Sequence, residues 1–226
     1  MRRLLGGDPA DAARTLVGAR LVRDGPDGRP RIGRIVEVEA YGGPEDRASH
    51  ARSGRTRRNA AMYGPPGRAY VYRVYGMYTC LNVVSGPAGS PAAALIRAVE
   101  PVDGIPAMRI ARLDHDLQRR RATRGDRAEA GTVATVRSRI DNLRPAALAA
   151  GPGLVGEAFS IDLADDGTDL CDPDSPLRLE EPPAGEEPPS IRSTGRIGVA
   201  YAGEPWSTLR WRFVALPASA PSDTDT

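Results

Sequence analysis

The sequence predicts an α+β fold with a largely antiparallel sheet. Its predicted strands cluster as hairpins instead of alternating with helices, which is the pattern of α+β folds. A length of 226 residues suits one domain, read as residues 1–216 followed by a disordered tail at 217–226. With 40% of residues hydrophobic, the chain can bury a substantial core.

The first element is a helix. Asp8-Pro9 reads as an N-cap with proline at the first helical position, Ala10, Ala13, Leu16 and Val17 recur at helical spacing, and Gly18 suits the helix end. Two strands follow, Ala19–Arg23 and Ile32–Tyr41, separated by the turn-rich Asp24-Gly25-Pro26-Asp27-Gly28 and closed by Gly42-Gly43-Pro44. Residues 47–67 are polar, arginine-rich and broken by glycine and proline, so they read as loop. Ala69–Tyr75 and Tyr78–Ser85 are β-rich runs joined at Gly76-Met77, a hairpin signal. Ala92–Glu100 is a further strand and residues 102–124 are helical in composition, while residues 125–150 favour neither state. Residues 162–190 are acidic and proline-rich and read as a long excursion. Arg196–Tyr201 and Leu209–Leu216 are expected to be the last two strands.

Composition excludes several classes of function. No apolar run approaches the roughly 18–20 residues that cross a bilayer. The basic start Met1-Arg2-Arg3 is followed by Gly6, Gly7, Asp8 and Asp11, which interrupt any export signal, so the expected location is intracellular, with no membrane contact. Cys80 and Cys171 cannot form a disulfide framework, and with only His50 and His115 beside them no zinc-ligand spacing exists, so neither a metal nor another cofactor is expected. All 31 basic residues are arginine. The absence of lysine excludes P-loop phosphate binding and Schiff-base chemistry on a lysine amine.

Charge is polarised along the chain. Residues 1–150 carry 26 arginines and 15 acidic residues, whereas residues 151–226 carry 5 and 14. Two readings fit equally well: a polyanion partner, most simply nucleic acid, or an acidic third that folds back over the basic part.

Two segments carry candidate chemistry. In Ile35-Val36-Glu37-Val38-Glu39-Ala40-Tyr41, strand alternation puts Val36, Val38 and Ala40 on an apolar face and Glu37, Glu39 and Tyr41 on the other. Spacing alone leaves either glutamate as the catalytic one, or the row as a solvated strand face. In residues 70–78, four of the chain's seven tyrosines fall within nine residues, with Tyr75 at the hairpin lip. Aromatic rings stack on unpaired bases, and an aromatic at a hairpin tip can fill the gap left when a base is extruded. A tyrosine-rich strand that merely packs a core fits the same pattern. The arginines at 52, 55, 57, 58, 68 and 73 surround these rings and favour nucleic acid.

These residues also carry a family resemblance. Arg34 to Asn82 closely resembles the alkyladenine (3-methyladenine) DNA glycosylases, through Arg34–Tyr41, Gly43-Pro44-Glu45-Asp46, Ala48-Ser49-His50, Arg58-Asn59, Met62, Gly67–Tyr78 and Leu81-Asn82. Leu95–Pro101, Arg196-Ile197-Gly198-Val199, Ala202-Gly203-Glu204 and Trp206 extend the likeness downstream. The resemblance implies a curved, mainly antiparallel sheet with flanking helices and long loops. It implies a hydrolase of base excision repair that releases alkylated or deaminated purines from double-stranded DNA; the absence of lysine makes it monofunctional, and a monomer is expected. Glu39 matches the family's water-activating glutamate, and Arg97 and the backbone of Val199 match groups that help hold that water. Tyr41, His50 and Tyr72 match the walls around a flipped base, Asn82 the residue that screens out guanine, and Tyr75 the side chain inserted into the duplex.

Three features depart from the family pattern: the loop at residues 85–91, Leu154 where a lysine usually follows Gly-Pro-Gly, and a 52–59 loop one residue short. A non-catalytic nucleic-acid-binding module with a tyrosine platform, and a nucleosidase, are the competing functions. An intact Glu39 opposes the first, and Tyr75 with its basic surroundings opposes the second.

Overall fold

The computed structural model describes residues 1–26, 28–124 and 130–217. A short helix α1 (Arg2–Leu5) precedes α2 (Pro9–Leu16), which starts where the Asp8 carboxylate accepts the N–H groups of Ala10 and Asp11. Strands β1 (Arg20–Arg23), β2 (Arg31–Tyr41), β3 (Ala69–Val74), β4 (Tyr78–Ser85) and β5 (Ala92–Asp103) follow. Helices α3 (Ile105–Arg124), α4 (Ala130–Asp141) and α5 (Pro152–Ala158) come next, then β6 (Leu177–Glu180), β7 (Ile191–Thr194) and β8 (Arg212–Ala215). No helix among the described residues is long and apolar enough to cross a membrane.

The eight strands among the described residues form one antiparallel sheet in the order β3-β4-β5-β2-β1-β6, with β8 also on β2 and β7 on β8. The predicted α+β class and its mainly antiparallel sheet are therefore present. β2 is the pivot. One edge pairs with β5 along most of its length, while the other pairs with β1 over Arg31–Arg34 and with β8 over Glu37–Glu39.

Register assigns the two faces. Ala69, Val83, Ala94 and Ala40 lie opposite one another across β3, β4, β5 and β2, and all four belong to the main core. α2 packs on β2 and β5, and α5 on β4 and β5. α5 sits so close that a Cβ on Gly156 would lie 2.3 Å from the Thr79 carbonyl oxygen. Phe159, Leu16, Ile35 and Leu81 are fully buried in this core, each contributing about 1.5–3 kcal/mol. On the opposite face the matching row is Tyr70, Asn82, Leu95 and Glu39. One face of the sheet thus builds the core and the other presents polar and aromatic side chains.

Several predicted elements shift. Val36 does not join the apolar face: a register break between Ile35 and Glu37 leaves it without a β5 partner, and Ile35 takes the core position in phase with Val38 and Ala40. A β-bulge adds one residue and so reverses the alternation beyond it. A second break between Glu37 and Val38 makes Arg97 the extra residue on β5. Arg196–Tyr201 is not a strand but a bend leading into a short 3₁₀ turn, Ala200–Ala202, because Gly198 takes φ +76°, outside any strand conformation. The strand lies just before it, as β7. The acidic excursion contains order of its own: a 3₁₀ turn at Leu163–Asp165 and β6, which extends the sheet beyond β1. Apart from Pro217, the expected tail lies outside the described residues.

Candidate active site

The polar face of the sheet floors a cavity of about 120 Å³, lined by Tyr41, His50, Met62, Tyr70, Tyr72 and Asn82 and, from the segment after β7, by Ile197, Gly198, Val199 and Tyr201. Tyr70 and Tyr72 point to the same face of β3, their ring centroids 5.3 Å apart. His50 stands edge-on to Tyr72 at 4.6 Å, and its Nδ1 lies 2.9 Å from the Tyr70 hydroxyl. His50 is held by a 3₁₀ turn (His50–Ser53) capped by the Ser49 hydroxyl. Asn59 fastens the following loop, its Nδ2 donating to the carbonyls of His50 and Gly54. Burial, with the nearby charges of Arg58 and Arg52, holds the His50 pKa below its ordinary value, so the ring is neutral at pH 7. Burial pushes the Tyr72 hydroxyl up and the Tyr70 hydroxyl up to about 12, so both remain protonated. Asn82 is buried at the floor and donates to the Tyr70 carbonyl at 3.0 Å.

Glu39 lies directly behind this cavity and has no solvent exposure. Its Oε2 accepts from the Tyr41 hydroxyl at 2.9 Å and from Nη1 of Arg97 at 3.1 Å, and its Oε1 accepts the Ile197 N–H at 2.7 Å. Burial and the Glu39 charge push the Tyr41 hydroxyl well above its usual pKa, keeping it a donor. Burial disfavours the charge on Arg97, but Glu39 and Glu37 outweigh it and raise the Arg97 pKa. Three donors, one of them a guanidinium, thus converge on this buried carboxylate.

Seven of the eight residues singled out in the sequence therefore gather at one place: Glu39, Tyr41, His50, Tyr72, Asn82, Arg97 and Val199. Val199 lines the cavity, but the backbone N–H bonded to Glu39 belongs to Ile197, two residues earlier. Tyr75 lies apart from this group. It is 85% exposed at the tip of the β3–β4 hairpin, with φ +51° followed by Gly76 at +68°. A tyrosine in the left-handed region costs roughly 1–3 kcal/mol, which the turn retains at the site where the ring projects.

Sequence reasoning missed Ile197, whose role is played by a backbone N–H and so carries no residue signature. It also missed Arg196 and Asp46, which pair at 2.6 Å, and Arg212, whose Nε donates to Glu37 at 2.6 Å. Arg196 and Asp46 stood inside the quoted motifs, but nothing local indicates that they meet.

The structure divides the two readings of charge. Arg23 pairs with Asp165, Arg2 with Asp169 and Arg20 with Glu186, so the acidic excursion neutralises the β1 side of the molecule. Arg52, Arg55 and Arg58 instead lie over the rings of Tyr201, Tyr63 and Tyr72, with no carboxylate partner among the described residues. The positive charge left unneutralised there borders the cavity.

Comparison with known proteins agrees with this geometry. The profile of the methylpurine-DNA glycosylase family matches residues 3–218. A protein of Anaeromyxobacter dehalogenans is 41% identical over 215 residues, covering 94% of this chain and 81% of its own. One of Methanocella arvoryzae is 42% identical, covering 90% and 85%, and one of Nocardia farcinica 43%, covering 88% and 81%. The names of all three carry the words 3-methyladenine DNA glycosylase. The chain belongs to the methylpurine-DNA glycosylase family.

Proposed function

We propose that this protein removes alkylated or deaminated purines from duplex DNA by turning the nucleotide out of the helix and hydrolysing its N-glycosidic bond. The observation that carries the reading is the buried carboxylate of Glu39, hydrogen-bonded to Tyr41 and Ile197, both of which line the aromatic cavity. A stacked base shields C1′, so the nucleotide must leave the duplex, at a cost of a few kcal/mol that is smaller for damaged bases. Tyr75 fills the vacated stack. The extruded base lies between Tyr41 on one side and His50 and Tyr72 on the other. Their electron-rich faces suit electron-poor or cationic alkylpurines, and Asn82 excludes the amino group of guanine.

Glu39 accepts a proton from a water oriented by Arg97 and the backbone near Val199. The water oxygen bonds to C1′ as the C1′–N bond breaks, and the purine leaves with the bonding electrons. The negative charge of Glu39 stabilises the oxocarbenium-like transition state. Water is the sole nucleophile, so the product is an abasic site in an intact strand. The protein acts as a monomer on one DNA site.

The test is incubation with a labelled duplex holding one hypoxanthine or ethenoadenine, followed by alkali. Strand cleavage that depends on both enzyme and alkali is expected. Tight binding without cleavage would instead support a non-catalytic module.

A further inference from the structure

Glu37 and Arg212 lie beside the proposed catalytic pair but have no part in the reaction described above. Oε1 of Glu37 accepts from Nε of Arg97 at 2.8 Å and from Nε of Arg212 at 2.6 Å. Arg97 reaches past Glu37 to Oε2 of Glu39 with Nη1, at 3.1 Å. Its remaining nitrogen, Nη2, has no protein acceptor among the described residues. Arg212 stands directly across from Glu39 in the β2–β8 register, and its Nη1 bonds the Thr194 hydroxyl at 3.2 Å. Burial raises the Glu37 pKa, but hydrogen bonds from Arg212 and Arg97 outweigh it and leave the carboxyl below its usual value. Glu37 is thus an ionised, doubly engaged acceptor and a poor proton acceptor.

An arginine facing two carboxylates has two arrangements open to it. It can divide its donors between them, as here, or close its fork on one carboxylate in a two-point pair, the geometry guanidinium and carboxylate favour. A fork closed on Glu39 with both Nη1 and Nη2 would commit Nη2 to the carboxylate and draw Arg97 away from Glu37. We propose that Glu37, anchored by Arg212, is a positioning residue for hydrolysis: it holds Arg97 divided between the two carboxylates, so that Nη2 stays uncommitted and faces the attacking water. This rests on the reading of Glu39 as the base.

The test is a double-mutant cycle read by single-turnover release of hypoxanthine from duplex DNA, alongside binding to a duplex with a tetrahydrofuran abasic analogue. Glu37→Ala should slow release about 10- to 100-fold, the effect of a small misplacement in a reacting array, while the binding constant changes less than about twofold. Glu37→Gln, which keeps an oxygen for Nε of Arg97, should restore most of the rate, to within about fivefold of wild type. In an Arg97→Met background both losses should shrink below about twofold, because the effect passes through Arg97. Equal losses in both backgrounds would overturn the inference and make Glu37 a structural residue. If Glu37→Ala does not fold, the isosteric Glu37→Gln in the two backgrounds reads the same coupling. Glu39→Gln runs in parallel: if it stays active, the base itself is misassigned, whereas an inactive Glu39→Gln with additive Glu37 losses overturns only the positioning role.

Discussion

Arg196 and Asp46 form a two-point ion pair inside the protein. Nη1 of Arg196 donates to Oδ2 at 2.6 Å and Nη2 to Oδ1 at 3.0 Å, with both side chains almost wholly excluded from solvent. The same guanidinium donates to the carbonyls of Ala40 and Trp206 and lies 4.9 Å from the Tyr41 ring centroid. Asp46 in turn accepts the N–H groups of Gly42 and Ala48. One pair therefore ties the end of β2, the segment leading to His50, and the loop over the cavity.

Removing one member of such a pair leaves an uncompensated buried charge. Asp46→Ala should destabilise the fold by about 3–5 kcal/mol, measured as the shift in urea midpoint at constant slope. A loss below about 1 kcal/mol would show that the loops are held in another way.

Glu39→Gln keeps the shape of the side chain and removes its charge and basicity. Base release should fall by at least about a thousandfold, with binding to damaged duplex largely kept, as expected when the general base and a charge-stabilising group are lost together. Release within tenfold of wild type, checked by single-turnover kinetics, would show that the base lies elsewhere.

Tyr75→Ala should weaken capture of the extruded state in duplex DNA by about 10- to 100-fold, corresponding to about 1–3 kcal/mol of lost stacking. Release from single-stranded substrate should change little, since no stack needs filling there. Equal losses on both substrates, with an unchanged thermal midpoint, would contradict the wedge role.

Asn82→Ser shortens a buried amide at the cavity floor and should raise release of guanine and 7-alkylguanine relative to hypoxanthine. Chromatography of the released purines gives the ratio. An unaltered profile would mean that guanine is excluded by another group.

A glycosylase that also cuts the backbone forms a Schiff base between an amine and C1′. No lysine exists in this chain, and the N-terminal amine is paired with Glu181, at 3.1 Å. Borohydride added during turnover should therefore trap no covalent protein–DNA adduct on a denaturing gel. A trapped adduct would require that amine to act as the nucleophile, and the water mechanism would have to be given up.

Local chemistry was legible throughout. The Asp8 cap, the hairpin at Tyr75 and Gly76, and the shared face of Glu37, Glu39 and Tyr41 depend on neighbours a few residues away, so each leaves a mark in the sequence. The resemblance implied residue roles, and five of those residues, Tyr41, His50, Tyr72, Asn82 and Val199, line one cavity, with Glu39 and Arg97 bonded together behind it. The bulges at Val36 and Arg97 were not legible, because an unpaired residue is defined by the partner strand and not by its own side chain. The segment 196–201 misled for the same kind of reason. Its apolar residues suit a strand, yet Gly198 and the burial of Arg196 against Asp46 turn it into a loop.

The sequence by itself thus determined the fold class, the polarised charge and the exclusion of lysine chemistry, and it singled out residues that the fold brings close together. Tertiary structure alone decided which glutamate adjoins the cavity: Glu39 meets Tyr41 and the Ile197 N–H, whereas Glu37 is engaged by Arg97 and Arg212. It also decided where the charge remains free, by bringing the acidic excursion against Arg2, Arg20 and Arg23 and leaving Arg52 and Arg58 beside the cavity. The physical reason is distance along the chain. The contact from Ile197 to Glu39 spans 158 residues and that from Arg212 to Glu37 spans 175, and only the folded sheet closes such separations.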